Sequence, residues 1–116
     1  MSESSFTRSE RVGDAVVVNI LAAQIGDRES QIIQDEIASA AGPAGWRVAV
    51  DMADVTFLAS AGLGALVSVH NQAKGAKGKL AVCNLAPDLL QMLKLTNLDK
   101  LFMIKKDRDA AIKAVG

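Results

Sequence analysis

VAVDMADVTFLASAGLGALV, residues Val48 to Val67, is the stretch that decides the fold. With Trp46 and Arg47 ahead of it, its first part forms a short, nearly continuous apolar run ending at Met52. A run of that length, apolar on both alternating sets of positions, predicts a strand buried on both faces. Burial on both faces requires helices on each side, so a layered α/β domain is expected. A short connection, ADVTFL, follows, and a second helix is expected to begin around Ser60, with Leu63, Leu66, Val67 and His70 on its inner stripe. Ser60 is a lone hydroxyl among Ala, Gly and Leu. As an N-cap it would accept a first-turn N–H, worth about 1 kcal/mol. Its small neighbours Ala61, Gly62 and Gly64 leave the helix start open to another protein's backbone and Ser60 accessible to a kinase.

Outward from this stretch the same rules give alternating strands and helices. AVVVNIL (Ala15–Leu21) reads as a strand after a Gly13-Asp14 turn, which closes a hairpin with SFTRSERV. A first helix is expected over Asp27–Gly42, with Asp27 as N-cap, Ile33, Ile37 and Ala40 inward, Ile32 and Glu36 flanking, and Gly42-Pro43 as its stop. GAKGK turns the chain into a strand over Leu80–Leu85. Pro87 opens a short helix with Leu89, Met92 and Leu93 inward. Asn97 ends it, because asparagine tolerates the left-handed conformation. Leu101–Ile104 is a last short strand and DRDAAIKAV a closing helix. The expectation is one domain over 1–116, a mixed sheet of about five strands flanked by helices, with residues 1–5 flexible.

Composition bounds the function. Half of the 116 residues are hydrophobic and 3% aromatic, so the core is aliphatic and a stacking surface for single-stranded nucleic acid is not expected. Net charge is zero, which gives no global nucleic-acid signature. The charges are uneven, with four Arg against nine Asp and Glu up to residue 58 and nine Lys and Arg against four Asp after it. One cysteine, Cys83, permits no internal disulfide and reads as a buried thiol. The polar N-terminus MSESSFTRSE lacks a signal-peptide core, and no stretch reaches the about 20 apolar residues of a membrane span. A cytoplasmic chain without membrane insertion is expected.

Several chemistries fail on spacing. A nucleophile elbow needs glycine two before the serine, where Leu58 stands. The single histidine, His70, lies ten residues further along the same helix, about 15 Å away axially. GLGALV lacks the third glycine of a dinucleotide fingerprint, and GAKGK lacks the spacing and Ser/Thr of a P-loop. Its G-x-x-G matches an RNA-clamping loop, but it leads into a strand and reads as an ordinary turn. No metal site is expected, and Asp51 and Asp54 read as structural acids satisfying turn amides at a strand exit. No cofactor and no catalytic residue is assigned.

The stretch Val48–Val67 resembles the central signature of STAS domains, specifically anti-sigma factor antagonists. Asp51, Phe57, Ser60, Gly62, Leu63 and Gly64 match it as they stand, and GKLAVCNLAPDLLQMLKLTNLDKLFMI resembles the family's next strand, helix and last strand. The likeness runs from about Val16 onward. Two positions depart from it: Ala59 where many members carry Asp, and Ala23-Gln24-Ile25-Gly26 in place of a G-E-L-D segment, with Asp27 the nearest acid. The resemblance implies that Ser60 is the phosphoacceptor of a partner that is both serine kinase and anti-sigma factor. It also implies a serine phosphatase that resets the switch. Gly26, Asp27, Leu58, Ala59, Ala61, Gly62 and Leu63 are the expected partner-binding residues, and the chain itself is expected to be a monomer or weak homodimer, not an enzyme. The alternatives are a STAS scaffold subunit of a signalling or lipid-transport complex, in which Ser60 only caps, and a small-ligand or enzymatic role.

Overall fold

The structure, a computed structural model, describes the backbone apart from Met1, Ser4 and Ser5, and the side chains from Phe6 onward. In chain order the elements are β1 (Ser2–Glu3), β2 (Thr7–Val12), β3 (Ala15–Ile20), β4 (Gln24–Ile25), α1 (Asp27–Ala41), β5 (Arg47–Asp51), β6 (Phe57–Leu58), α2 (Ser60–Gly75), β7 (Lys79–Cys83), α3 (Pro87–Leu95), β8 (Met103–Lys105) and α4 (Arg108–Val115). Single 3-10 turns, Gly42–Ala44 and Leu98–Lys100, follow α1 and α3.

The main sheet runs β1-β2-β3-β5-β7-β8. β1, β2 and β3 are antiparallel, and β3, β5, β7 and β8 are parallel, so the sheet is mixed as expected. Its sixth strand is β1, where Ser2 and Glu3 pair with Ser9 and Arg8. Met1, Ser4 and Ser5, to which the expectation of a flexible terminus extends, lie outside the described residues.

The apolar strands are buried on both sides, but the two sides differ in size. Val16, Val18, Ile20, Val48, Val50, Leu80 and Val82 form the large core, with residues of α1, α2 and α3. Ala15, Val17, Ala49, Ala81 and Cys83 face the opposite way and meet Ala111 and Val115 of α4. Small residues on that face let a two-turn helix lie close to the sheet. Cys83 is fully buried there, and burial together with the Asp51 charge raises its thiol pKa to about 12.

The helices are rotated slightly from expectation. α1 buries Ser30, Ile33, Ile37 and Ala41, so Ala41 takes the inward place given to Ala40. α2 buries Gly62, Ala65, Leu66, Val69 and Ala73. Leu63, Val67 and His70, read as inward, are half-buried on its flank. The physical reason is at Gly62, where a Cβ would stand 2.8 Å from the Ile25 carbonyl oxygen. Backbone packs directly on backbone there, and this close approach sets the rotation of the helix. His70 packs edge-on against Phe102, ring centroids 5.6 Å apart.

The chain punctuation follows the sequence closely. Asn97, just beyond the end of α3, is left-handed at φ +62°. Pro87 opens α3, and Asp107 caps α4 by accepting the Ala110 N–H at 2.9 Å. The last strand begins two residues later than Leu101 because the 3-10 turn occupies Leu98–Lys100 and Leu101 closes it.

Candidate functional site

The connection after β5 holds an element that periodicity did not reveal. Phe57–Leu58 forms β6, which pairs in parallel with β4, Gln24 opposite Phe57 and Ile25 opposite Leu58. The Ala59 N–H continues the contact by donating to the Ile25 carbonyl at 3.0 Å. Since α1 leaves β4 and α2 leaves β6, the two helices start side by side. The six expected residues from Leu58 to Leu63 (with Ser60 among them) and the pair Gly26–Asp27 are thereby brought together across 33 residues of chain separation.

Ser60 is not the N-cap. Ala59 holds that place in extended backbone, and its carbonyl already accepts the Leu63 N–H at 3.1 Å. Ser60 is the first helical residue and exposed, and among the described residues its side chain makes no hydrogen bond. The stabilisation of about 1 kcal/mol expected for its cap is therefore absent. Its hydroxyl is left free beside first-turn N–H groups that have no carbonyl behind them to reach. No acidic residue lies in that turn.

Asp27 is likewise one place inside its helix. Gly26 is the N-cap of α1, and its N–H donates to Glu29 Oε2 at 3.1 Å. A side chain at Gly26 would press on that carboxylate at 3.3 Å. Asp27 is left exposed in the first turn, where the helix dipole favours its charge.

Exposure sorts the remaining residues. Gly26, Ala59, Ala61 and Leu63 are half-buried. Leu58, 2% exposed, and Gly62 are buried beneath the surface and hold it in place. Phe57 was not among the expected contact residues, yet its side chain is 54% exposed. Its rarity, in a chain that is 3% aromatic, was the signal that could have found it.

Asp51 lies at the end of β5, 4% exposed. Its carboxylate accepts from the Ala53 N–H and Asn84 Nδ2, each at 3.0 Å, and from Arg108 Nε and Nη2 at 3.1 and 2.8 Å. Burial alone raises its pKa, but the bonds from Asn84, Arg108 and Ala53 with the Arg108 charge outweigh it. The carboxyl is held below its ordinary 3.8. Asp51 thus satisfies a turn amide, as expected, and also ties α4 to the sheet. Asp54 is exposed.

The STAS domain family model matches residues 8–111. The chain belongs to the STAS domain family. BtrV of Bordetella bronchiseptica, named as an anti-sigma factor antagonist, is 23% identical over 101 residues, covering 87% of each chain. The crystal structure of a Thermotoga maritima protein described as an anti-sigma factor antagonist superposes with a TM-score of 0.82 at 19% identity, over 94% of this chain and 93% of that one. The phosphorylated form of the Bacillus cell fate determinant SpoIIAA superposes with a TM-score of 0.68 at 15% identity, over 93% and 98%. Among the described residues no helix is long and apolar enough to cross a membrane.

Proposed function

We propose that this protein is a cytoplasmic anti-sigma factor antagonist switched by phosphorylation of Ser60. In the unphosphorylated state it docks a serine-kinase anti-sigma factor over Gly26, Asp27, Ala59, Ala61 and Leu63, with Leu58 and Gly62 supporting that surface from below. The kinase modifies Ser60 and the complex dissociates; a serine phosphatase restores the hydroxyl.

One observation carries this reading: Ser60 is exposed at the first turn of α2, and among the described residues its hydroxyl has no hydrogen-bond partner. A capping serine would have to give up a hydrogen bond to be modified. Ser60 has none to give up. A phosphoserine carries about −1.5 to −2 charge at pH 7, which a helix N-terminus accepts. The same charge in a dry interface must be desolvated, and about 3 kcal/mol of penalty lowers affinity a hundredfold. The Bacillus protein of this fold exists in a phosphorylated form, which supports a fold that survives the modification.

The test uses a purified serine-kinase anti-sigma factor from the same organism. With ATP present, mass spectrometry is expected to locate phosphate on Ser60. Ser60→Ala is expected to stay within about 0.5 kcal/mol of wild-type stability, since no cap is lost, and to keep its affinity. Ser60→Asp is expected to fold normally and to bind about a hundredfold more weakly. Phosphate on another residue, or tight binding by Ser60→Asp, refutes the switch.

A further inference from the structure

At the end of α2 opposite Ser60, the helix closes in a hydrogen-bonded turn. The Gly78 N–H donates to the Ala73 carbonyl at 2.8 Å and the Lys77 N–H to that of Lys74 at 3.1 Å. Lys77 is left-handed, φ +62°. Glycine usually fills this place, because a Cβ is disfavoured in that conformation. Gly78 beside it is forced by contact instead: its Cβ would fall 2.2 Å from the Trp46 carbonyl oxygen. A lysine therefore stands where the backbone favours glycine, and such strain points to a use for the side chain.

Lys77 lines a cleft of about 260 Å³ with Lys74, Lys79 and His70. Leu80, Leu101 and Met103 supply an apolar wall, and no Asp or Glu lines it. Among the described residues none of the three ammonium groups has a carboxylate partner. The C-terminal dipole of α2 contributes about half a negative charge. Three lysines outweigh it, so the cleft is positive. His70 stiffens the inner side, its ring held against Phe102 and its Nδ1 buried without a hydrogen-bond partner.

We propose that this cleft binds a small amphiphilic anion, a carboxylate or phosphate monoester on a short alkyl chain. The head sits among Lys74, Lys77 and Lys79, and the chain lies on Leu80, Leu101 and Met103. A cleft of this volume admits a short alkyl chain such as hexyl. Exposed lysines alone bind anions weakly and salt-sensitively. The apolar wall adds selectivity, each buried methylene strengthening binding about fourfold.

The experiment titrates the full chain with hexyl phosphate and hexanoate, with inorganic phosphate and hexanol as controls, followed by NMR. Saturable shifts at His70, Leu101 and Met103 are expected for both alkyl anions, with each control at least about tenfold weaker. Lys77→Gly is expected to lower affinity about two- to fivefold while its melting temperature stays or rises, because glycine suits the left-handed turn. Lys77→Arg keeps binding. Absence of shifts at millimolar alkyl anion overturns the proposal. So does inorganic phosphate binding as tightly as hexyl phosphate, or unchanged affinity in Lys77→Gly.

Discussion

Gly62 and Gly64 lie two residues apart in α2, and the structure predicts opposite outcomes for the same substitution. At Gly64 an added Cβ meets nothing within 4 Å. Gly64→Ala should therefore gain the helix-propensity difference alone, about 0.8–1 kcal/mol. At Gly62 the same Cβ lies 2.8 Å from the Ile25 carbonyl oxygen and 3.1 Å from both Ile25 Cγ2 and Leu58 Cδ2. The side-chain atoms can shift, but the backbone oxygen belongs to β4, and the Ala59 N–H holds it at 3.0 Å. Overpacking of this kind costs about 1–3 kcal/mol, which cancels or exceeds the propensity gain. The difference between the two variants isolates the steric contribution, because propensity enters both. Urea unfolding at constant m-value measures it, and Gly62→Ala should be less stable than Gly64→Ala by about 1–3 kcal/mol. Equal stabilities would refute the claim that β4 backbone seats the start of α2.

The Asp51 carboxylate is held below its ordinary 3.8, so its contribution to stability is complete above that pH and is lost as pH falls through the folded value. Arg108→Ala should cost about 1.5 kcal/mol, the low end for bonds to a charged group because Arg108 is 41% exposed, and should shift the acid unfolding midpoint upward. His70 is pushed below 6.5 by burial and by Lys74, so the unfolded chain protonates first and stability declines as pH drops from 6.5 through the folded midpoint. An NMR titration midpoint at or above 6.5 contradicts this. With its pKa near 12, the native Cys83 thiol should resist iodoacetamide at pH 8 and react on unfolding; rapid labelling of the native protein contradicts the burial.

Strands β3, β5 and β7 were legible because burial on both faces leaves a dense apolar run. β4 and β6 were not, since two residues with one buried side chain each carry no period. The rotation of α2 was hidden for a related reason: its sequence is apolar or small on most sides, so the inward face is chosen by contact at Gly62 rather than by amphipathicity. The tie between Asp51 and Arg108 spans 57 residues, and no local spacing encodes it. The most instructive miss concerns Ser60 and Asp27, both read as caps and both found one residue inside their helices. Residue preference favours an oxygen-bearing side chain at a cap. Here the β4–β6 pairing fixes where each chain leaves its strand, and the helices begin at Gly26 and Ala59 regardless. That displacement bears directly on the proposed switch. A capping hydroxyl is turned back onto its own helix, whereas one at the first helical position is free for a partner. The free first-turn N–H groups then remain beside it to receive the charge that modification brings.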